Sequence, residues 1–219
     1  MKNRERKYKE TSKKYFDQQS INYFGTFDGK YCKDMYEEVI RKIKKRPARS
    51  VLDVGCGTGA MLSMLIADDQ ELQVSGIDFS EKMLDQAAEL LGEKAQLVLG
   101  DSDALPWQDD LYDLVLCNSS FHHFPEPLKV LKEIRRVLKA DGRLIIADPW
   151  WPNPTRSLIN IFLNSPFNYL GDVRIYSEQE IGSLLLDCGF KLVEWELILN
   201  KFSIASATAA KTPSCGSAP

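Results

Sequence analysis

Paired cysteines, a long apolar run and an excess of positive charge are all missing from this sequence, and histidine is nearly so. The 219 residues include five cysteines and two histidines. Cys32, Cys56, Cys117, Cys188 and Cys215 are scattered, with no C-x-x-C pair among them. That excludes the usual zinc-site and dithiol spacings and leaves free thiols suited to a reducing compartment. No apolar stretch approaches the roughly 18 residues of a membrane span, and no apolar segment follows the charged N-terminus as a secretory signal requires; a cytoplasmic chain is expected. Lys and Arg number 28 against 31 Asp and Glu. Without a global positive field, wrapping of nucleic acid is not expected, and a small-molecule partner fits better. Residues 1–14 and 41–49 are locally basic, which reads as solvated helix faces.

What is present is 44% hydrophobic content, enough for one domain with its own core. From residue 50 onward short apolar runs alternate with helical patterns, the signature of βαβ units and an α/β fold on a mostly parallel sheet. The runs predict seven strands: Ser50–Val54, Gln73–Ile77, Gln96–Leu99, Tyr112–Cys117, Arg143–Ala147, Lys191–Leu197 and Phe202–Ala207. Ser80 caps a helix over Glu81–Leu91 that Gly92 stops, and another spans Pro127–Leu138 and ends near Gly142. Ser177 and Glu180 form a capping box opening a helix that runs through Leu184, Leu185 and Leu186 to Gly189, after which Phe190 should turn back to the core. Upstream, residues 4–20 and 30–46 read as two helices around a Gly25–Gly29 turn; lying outside the alternating pattern, residues 1–48 read as a helical cap or lid. Residues 149–176, with Pro149, Pro152, Pro154 and Pro166 around apolar Leu158–Leu163, form an insertion expected to face a substrate. The domain is expected to span residues 1–207, and the small, polar residues 208–219 to fray.

The chemistry begins at Val51-Leu52-Asp53-Val54-Gly55-Cys56-Gly57-Thr58-Gly59, where a buried strand enters a glycine turn and then a helix carrying Met61, Leu62, Leu65 and Ile66. Glycines let a ligand lie against the backbone, and the turn sits outside the carboxyl ends of the strands, where open parallel sheets bind ligands. Gly55, Gly57 and Ala60 also satisfy a dinucleotide fingerprint, so an NAD-dependent oxidoreductase is a competing reading. Asp53 argues against it: a carboxylate two residues before the first glycine repels a pyrophosphate but attracts the ammonium of a methionine moiety. No Lys or Arg lies between Val51 and Asp78 to offset it.

Asp78 follows Gly55 by 23 residues at the tip of the second strand, where a carboxylate can accept both hydroxyls of an unphosphorylated ribose. Phe79 and Met83 then offer apolar surfaces to an adenine, and Asp101, at the end of the third strand in Gly100-Asp101-Ser102, can accept its amino group. Each carboxylate alone is as ordinary at a strand end or helix cap; their order along the chain carries the argument.

Taken together, VLDVGCGTG, GIDFSEKML, GDSDALPW, YDLVLCNSSFHHF and LKADGRLIIADP resemble the class I S-adenosylmethionine (SAM)-dependent methyltransferases over residues 50–150. The likeness is to the small-molecule branch that includes the ubiquinone- and menaquinone-biosynthesis methyltransferases, and YSEQEIGSLLLDCGF extends it to about residue 207. The resemblance implies a Rossmann-like, seven-stranded, mostly parallel sheet with helices on both faces and the last strand antiparallel. It also implies an enzyme that passes the methyl group of SAM to a small-molecule acceptor and leaves S-adenosylhomocysteine. By position, Asp53, Gly55, Cys56, Gly57 and Gly59 would hold the methionyl part, Asp78 the ribose, Phe79, Met83, Asp101 and Ser102 the adenine, and Asn118 the amino-acid end. Tyr15 and Tyr23 fall where such proteins close an N-terminal lid.

Methyl transfer chiefly needs an aligned nucleophile, and an acidic acceptor also needs a base. The two histidines, His122 and His123, are adjacent just past the fourth strand; one of them can serve as that base, or both can simply line the pocket. On an extended segment neighbouring side chains point opposite ways, so with Asp148 they are not expected to gather a metal. Trp107, Trp150, Trp151, Phe162, Phe167 and Tyr169 give the presumed mouth an apolar character, suited to a planar or lipophilic substrate or to plain lid packing. A SAM-binding protein without turnover and a methyltransferase acting on RNA or protein are the remaining alternatives.

Overall fold

The computed structural model describes residues 2–210. Three N-terminal segments come first: helix α1 (Lys2–Gln19), a 3-10 turn (Ser20–Gly25) and helix α2 (Phe27–Lys44). The alternating body follows as β1 (Ser50–Val54), α3 (Ala60–Asp68), β2 (Gln73–Asp78), α4 (Glu81–Leu91), β3 (Ala95–Leu99), β4 (Tyr112–Asn118), α5 (Pro127–Val137), β5 (Leu138–Pro149), α6 (Thr155–Leu163), α7 (Glu178–Asp187), β6 (Phe190–Ile198) and β7 (Phe202–Ala209). The sheet runs β3-β2-β1-β4-β5-β7-β6, parallel throughout except that β7 lies antiparallel to both β5 and β6.

Strand periodicity builds two cores, one on each face. Leu52 and Val54 of β1 and Val115 and Cys117 of β4 point to the α5 and α7 side, where Leu131, Ile134 and Leu185 meet them. Val51, Leu114 and Leu116 point to the other side, against α2, α3 and α4 through Val39, Leu62 and Ala87. Being buried on both faces explains why these strands read as continuous apolar runs. On α5, Val130, Leu131, Ile134 and Val137 are at most 2% exposed, and covering each contributes about 1.5–3 kcal/mol.

Local signals set the ends. Ser80 Oγ accepts the Met83 amide at 3.2 Å, and Ser177 with Glu180 forms the reciprocal capping box. Phe190 is 2% exposed. Several expected boundaries move. Thr26 caps α2 by accepting the Gly29 amide at 3.1 Å, so the break lies at 20–25 and Gly29 belongs to a helix; the cap outweighs the glycine's poor propensity. The apolar run in the insertion folds as α6. Leu138 is already extended at φ −77°, ψ 134°, so α5 stops there and β5 starts five residues before Arg143. At the C-terminal end, Thr208 and Ala209 pair in β7, with Thr208 opposite both Arg143 and Lys191; residues 211–219 of the expected tail lie outside the described residues.

The strand order reverses between β1 and β4, which opens a crevice at their carboxyl ends. In register, Asp53 lies opposite Gly76 and Leu116. Asp78 and Asn118 therefore lie at one level, two residues beyond Asp53, around the crevice.

Candidate functional site

The turn after β1 is held from below: the Gly55 and Cys56 amides both donate to the Ile77 carbonyl, at 2.8 and 3.1 Å. Gly57 has φ +52°, and a Cβ added there would meet nothing within 4 Å. It faces open space, as a backbone approached by a ligand must. Gly59 has a different task. A Cβ on it would lie 2.8 Å from Leu91 Cδ1 and 3.1 Å from Ala87 Cβ. It lets α3 start against α4, and it does not line the cleft.

That cleft has a cavity volume of about 80 Å³. Of the residues singled out from the sequence, Asp53, Gly55, Cys56, Gly57, Asp78, Phe79, Met83, Ser102 and Asn118 line it. Asp101 does not: it turns away to Lys9 of α1, whose Nζ lies 2.6 Å from its Oδ2. Asp53 is 2% exposed, and its Oδ1 has no hydrogen-bond partner among the described residues, as is true of Asn118 Oδ1 and Ser119 Oγ. Burial first, and then the nearby Asp78 carboxylate, push the Asp53 carboxyl up to about 8. Asp78 is also raised by burial, but the amides of Ser80 and Gly57 donate to it, each at 2.9 Å, and oppose the shift.

The N-terminal segments roof the cleft with Phe16, Tyr23, Cys32 and Tyr36. Polar contacts latch the roof down: Ser80 Oγ donates to Asp17 Oδ1 at 2.6 Å, and Lys9 reaches Asp101 and Asp103. Tyr15 points elsewhere, donating to Asp28 Oδ2 at 2.7 Å.

Beside this cleft lies a second cavity of about 490 Å³, walled by Tyr15, Tyr31, Trp150, Trp151, Ile159 and Leu170 among others. Phe16, Tyr23, Cys32, Ser119 and His123 line both spaces. His122 and His123 stand in this wall. They are not on extended chain, as expected, but on a 3-10 turn (Phe121–His123), which sets their ring centroids 4.0 Å apart. His122 Nδ1 is 3.0 Å from Asp148 Oδ1. Burial works against its charge, but Asp148 outweighs burial and carries His122 up to about 9. Burial and the neighbouring His122 charge take His123 the other way, down to about 3, although Asp172 Oδ1 lies 3.3 Å from its Nδ1. Among the described residues His122, His123 and Asp172 form the one group that could hold a metal, their ligand atoms lying within 4.8 Å of one another.

A family model described as a methyltransferase domain matches residues 52–146. The demethylmenaquinone methyltransferase of Thermotoga maritima is 34% identical over 120 residues, which cover 55% of this chain and 52% of that protein. Residues 52–146 are a methyltransferase domain. The chain spans about half the length of the curated relatives it matches. In fold, the domain resembles the chain solved from Haloferax volcanii with the Trm112 methyltransferase activator, at TM-score 0.75 and 20% identity over 92% of this chain and 98% of that one. It also resembles the Burkholderia thailandensis 1,6-didemethyltoxoflavin-N1-methyltransferase, solved with its substrate and S-adenosylhomocysteine, at TM-score 0.72 and 19% identity over 94% and 90%.

A methyltransferase domain implies a methyl donor, and the residues present suit SAM. The unpartnered buried oxygens of Asp53 and Asn118 are acceptors awaiting the donors of an ammonium, and Gly57 leaves room beside them. Of the lining residues, Phe16, Cys32, Tyr36 and Ser119 were not anticipated from sequence. On α2, Cys32, Met35, Tyr36, Val39 and Ile43 recur at helical spacing and read as core; all are buried, but Cys32 and Tyr36 also meet the cleft. Asp172, too, carried no local signal, and reaches His123 from the far side of the insertion.

Proposed function

We propose that this chain transfers the methyl group of SAM to a small-molecule acceptor held in the second cavity. The carrying observation is the shared wall: five residues, His123 among them, line both the glycine-loop cleft and the cavity beside it. A protein that only bound SAM would have no use for such a space. An RNA or protein acceptor would need an open approach to the methyl group, whereas the N-terminal segments roof the cleft with Phe16, Tyr23, Cys32 and Tyr36.

SAM supplies a methyl group already activated by its sulfonium. The chain supplies the rest. Asp53 and Asn118 hold the amino-acid end, Asp78 the ribose, and Phe79, Met83 and Ser102 the adenine. The latched roof of Phe16 and Tyr23 excludes water. For an acceptor that must lose a proton, His123 is the neutral imidazole at the shared wall, and Asp172 at 3.3 Å offsets in part the cost that burial and His122 put on its protonation. His122, fixed by Asp148, holds His123 in place by ring contact.

The test is thermal stabilisation by SAM, S-adenosylhomocysteine and NAD, followed by incubation of small-molecule extracts with isotopically labelled SAM. Stabilisation by the first two and a labelled small product are expected. A shift with NAD alone, or label found only in protein or RNA, overturns the proposal.

A further inference from the structure

Between Asp148 and Asp172 the chain contains no acidic residue and one charge, Arg156. The same stretch exposes large apolar side chains: Leu158 64%, Ile161 68%, Phe167 78% and Tyr169 68%. Leu158, Ile161 and Phe162 recur at helical spacing on the outer side of α6, while Leu163 is buried. An exposed patch of this kind marks an interaction surface.

Helix α1 lies along it. Tyr8 Oη donates to the Leu163 carbonyl at 3.0 Å, Arg4 bonds to Asn164, and a Cβ on Gly171 would sit 2.5 Å from the Ser12 backbone. This helix holds seven Lys and Arg against three Asp and Glu, in a chain whose acids otherwise exceed its bases. Arg4, Lys7 and Lys14 are exposed, and Lys7 and Lys14 have no ion-pair partner among the described residues. An acid-free apolar surface beside a basic helix is complementary to the interface of an anionic bilayer, which takes up apolar side chains and attracts cations.

We propose that α1 and residues 151–169 dock on an anionic lipid surface, and that an apolar acceptor passes from it into the second cavity. Trp151 and Ile159 join the two, since they belong to the same segment and line the cavity, as does the adjoining Leu170. The passage of the acceptor rests on the methyl-transfer reading; the docking does not.

The experiment is cosedimentation of the full chain with vesicles of phosphatidylcholine alone or mixed with phosphatidylglycerol, at low and high salt. Binding is expected to the mixed vesicles only and to fall at least tenfold at high salt. The pairs Leu158→Asp with Phe167→Asp, and Lys7→Glu with Lys14→Glu, should each weaken it at least tenfold while leaving the thermal shift with S-adenosylhomocysteine unchanged, which shows that they fold. Absence of binding to anionic vesicles, or equal binding by both variants, overturns the docking. So does a dimer by light scattering that Leu158→Asp with Phe167→Asp abolishes, since a second copy would then cover the face. Vesicle binding without any labelled methyl product would leave the docking standing and remove the transfer reading.

Discussion

Asp78 Oδ2 accepts the Gly57 amide at 2.9 Å, so one carboxylate fixes both the tip of β2 and the glycine loop. Its Oδ1 takes the Ser80 amide at the start of α4. A carboxylate has about four lone-pair sites, so two backbone bonds leave capacity for ribose hydroxyls. Asp78→Asn keeps the shape but removes charge and one acceptor. Titration calorimetry should show S-adenosylhomocysteine binding weakened about 10- to 100-fold, or about 1.4–2.7 kcal/mol. Unchanged affinity would take Asp78 out of the site.

Asp53 makes the site sensitive to pH. Its folded-state pKa, about 8, is raised above the unfolded value near 4. Its contribution to folding is therefore fully present below pH 4 and drains away as pH rises through 8. Asp53→Asn, which cannot ionise, should melt progressively higher than the parent between pH 5 and 8, with the gain levelling off above 8. A cationic ammonium placed beside Asp53 reverses the shift. Binding near pH 7 should then release close to one proton, seen as heats that differ between buffers of different ionisation enthalpy. Heats independent of buffer would contradict the pairing of Asp53 with the ammonium.

The sheet was readable because its strands are short, apolar on both faces and punctuated by Ser80, Gly92 and Ser177, all of them local signals. The places of the glycine loop and Asp78 in the cleft were readable for the same reason: they are set by spacing along the chain. What escaped was three-dimensional. Nothing local in Gly100-Asp101-Ser102 indicates that Lys9, 92 residues earlier, draws Asp101 away while Ser102 stays in the cleft. Gly59 looks like its neighbours in sequence, and only the approach of Leu91 and Ala87 separates its packing task from the open position of Gly57. The histidines were placed on extended chain, but Val173 and Arg174 donate to the His122 carbonyl, and the turn they secure stacks the two rings.

The roof closes through few contacts, and one of them is exposed to test. Ser80 Oγ spans from the cap of α4 to Asp17 Oδ1 on α1. Asp17→Ala removes that bond and the Lys13 pair, worth about 1–2 kcal/mol together in a part-buried setting. Amide exchange should quicken across residues 4–20 of the free variant, and KM for SAM should rise several-fold with little change in overall melting. S-adenosylhomocysteine should slow exchange there in the parent protein. If exchange over α1 is the same with and without ligand, α1 is a fixed wall and not a lid.

The paired histidines divide positioning from proton transfer, and substitutions separate the two. His123 faces both spaces, whereas His122 is tied to Asp148 behind it. His123→Gln should leave S-adenosylhomocysteine affinity within about twofold and lower turnover about tenfold, less than the 10²- to 10⁴-fold of a base that titrates near the working pH, because His123 is held down to about 3. Asp148→Ala acts on folding: stranding His122 without its buried partner costs about 3 kcal/mol. The sign of its pH dependence follows from His122, whose pKa is raised from 6.5 to about 9; the stabilisation is complete below about pH 6.5 and lost as pH climbs through 9. The melting temperatures of Asp148→Ala and the parent should thus converge in alkaline buffer. Full turnover in His123→Gln would assign proton removal elsewhere, and a melting gap that widens above pH 9 would show that Asp148 does not hold an imidazolium.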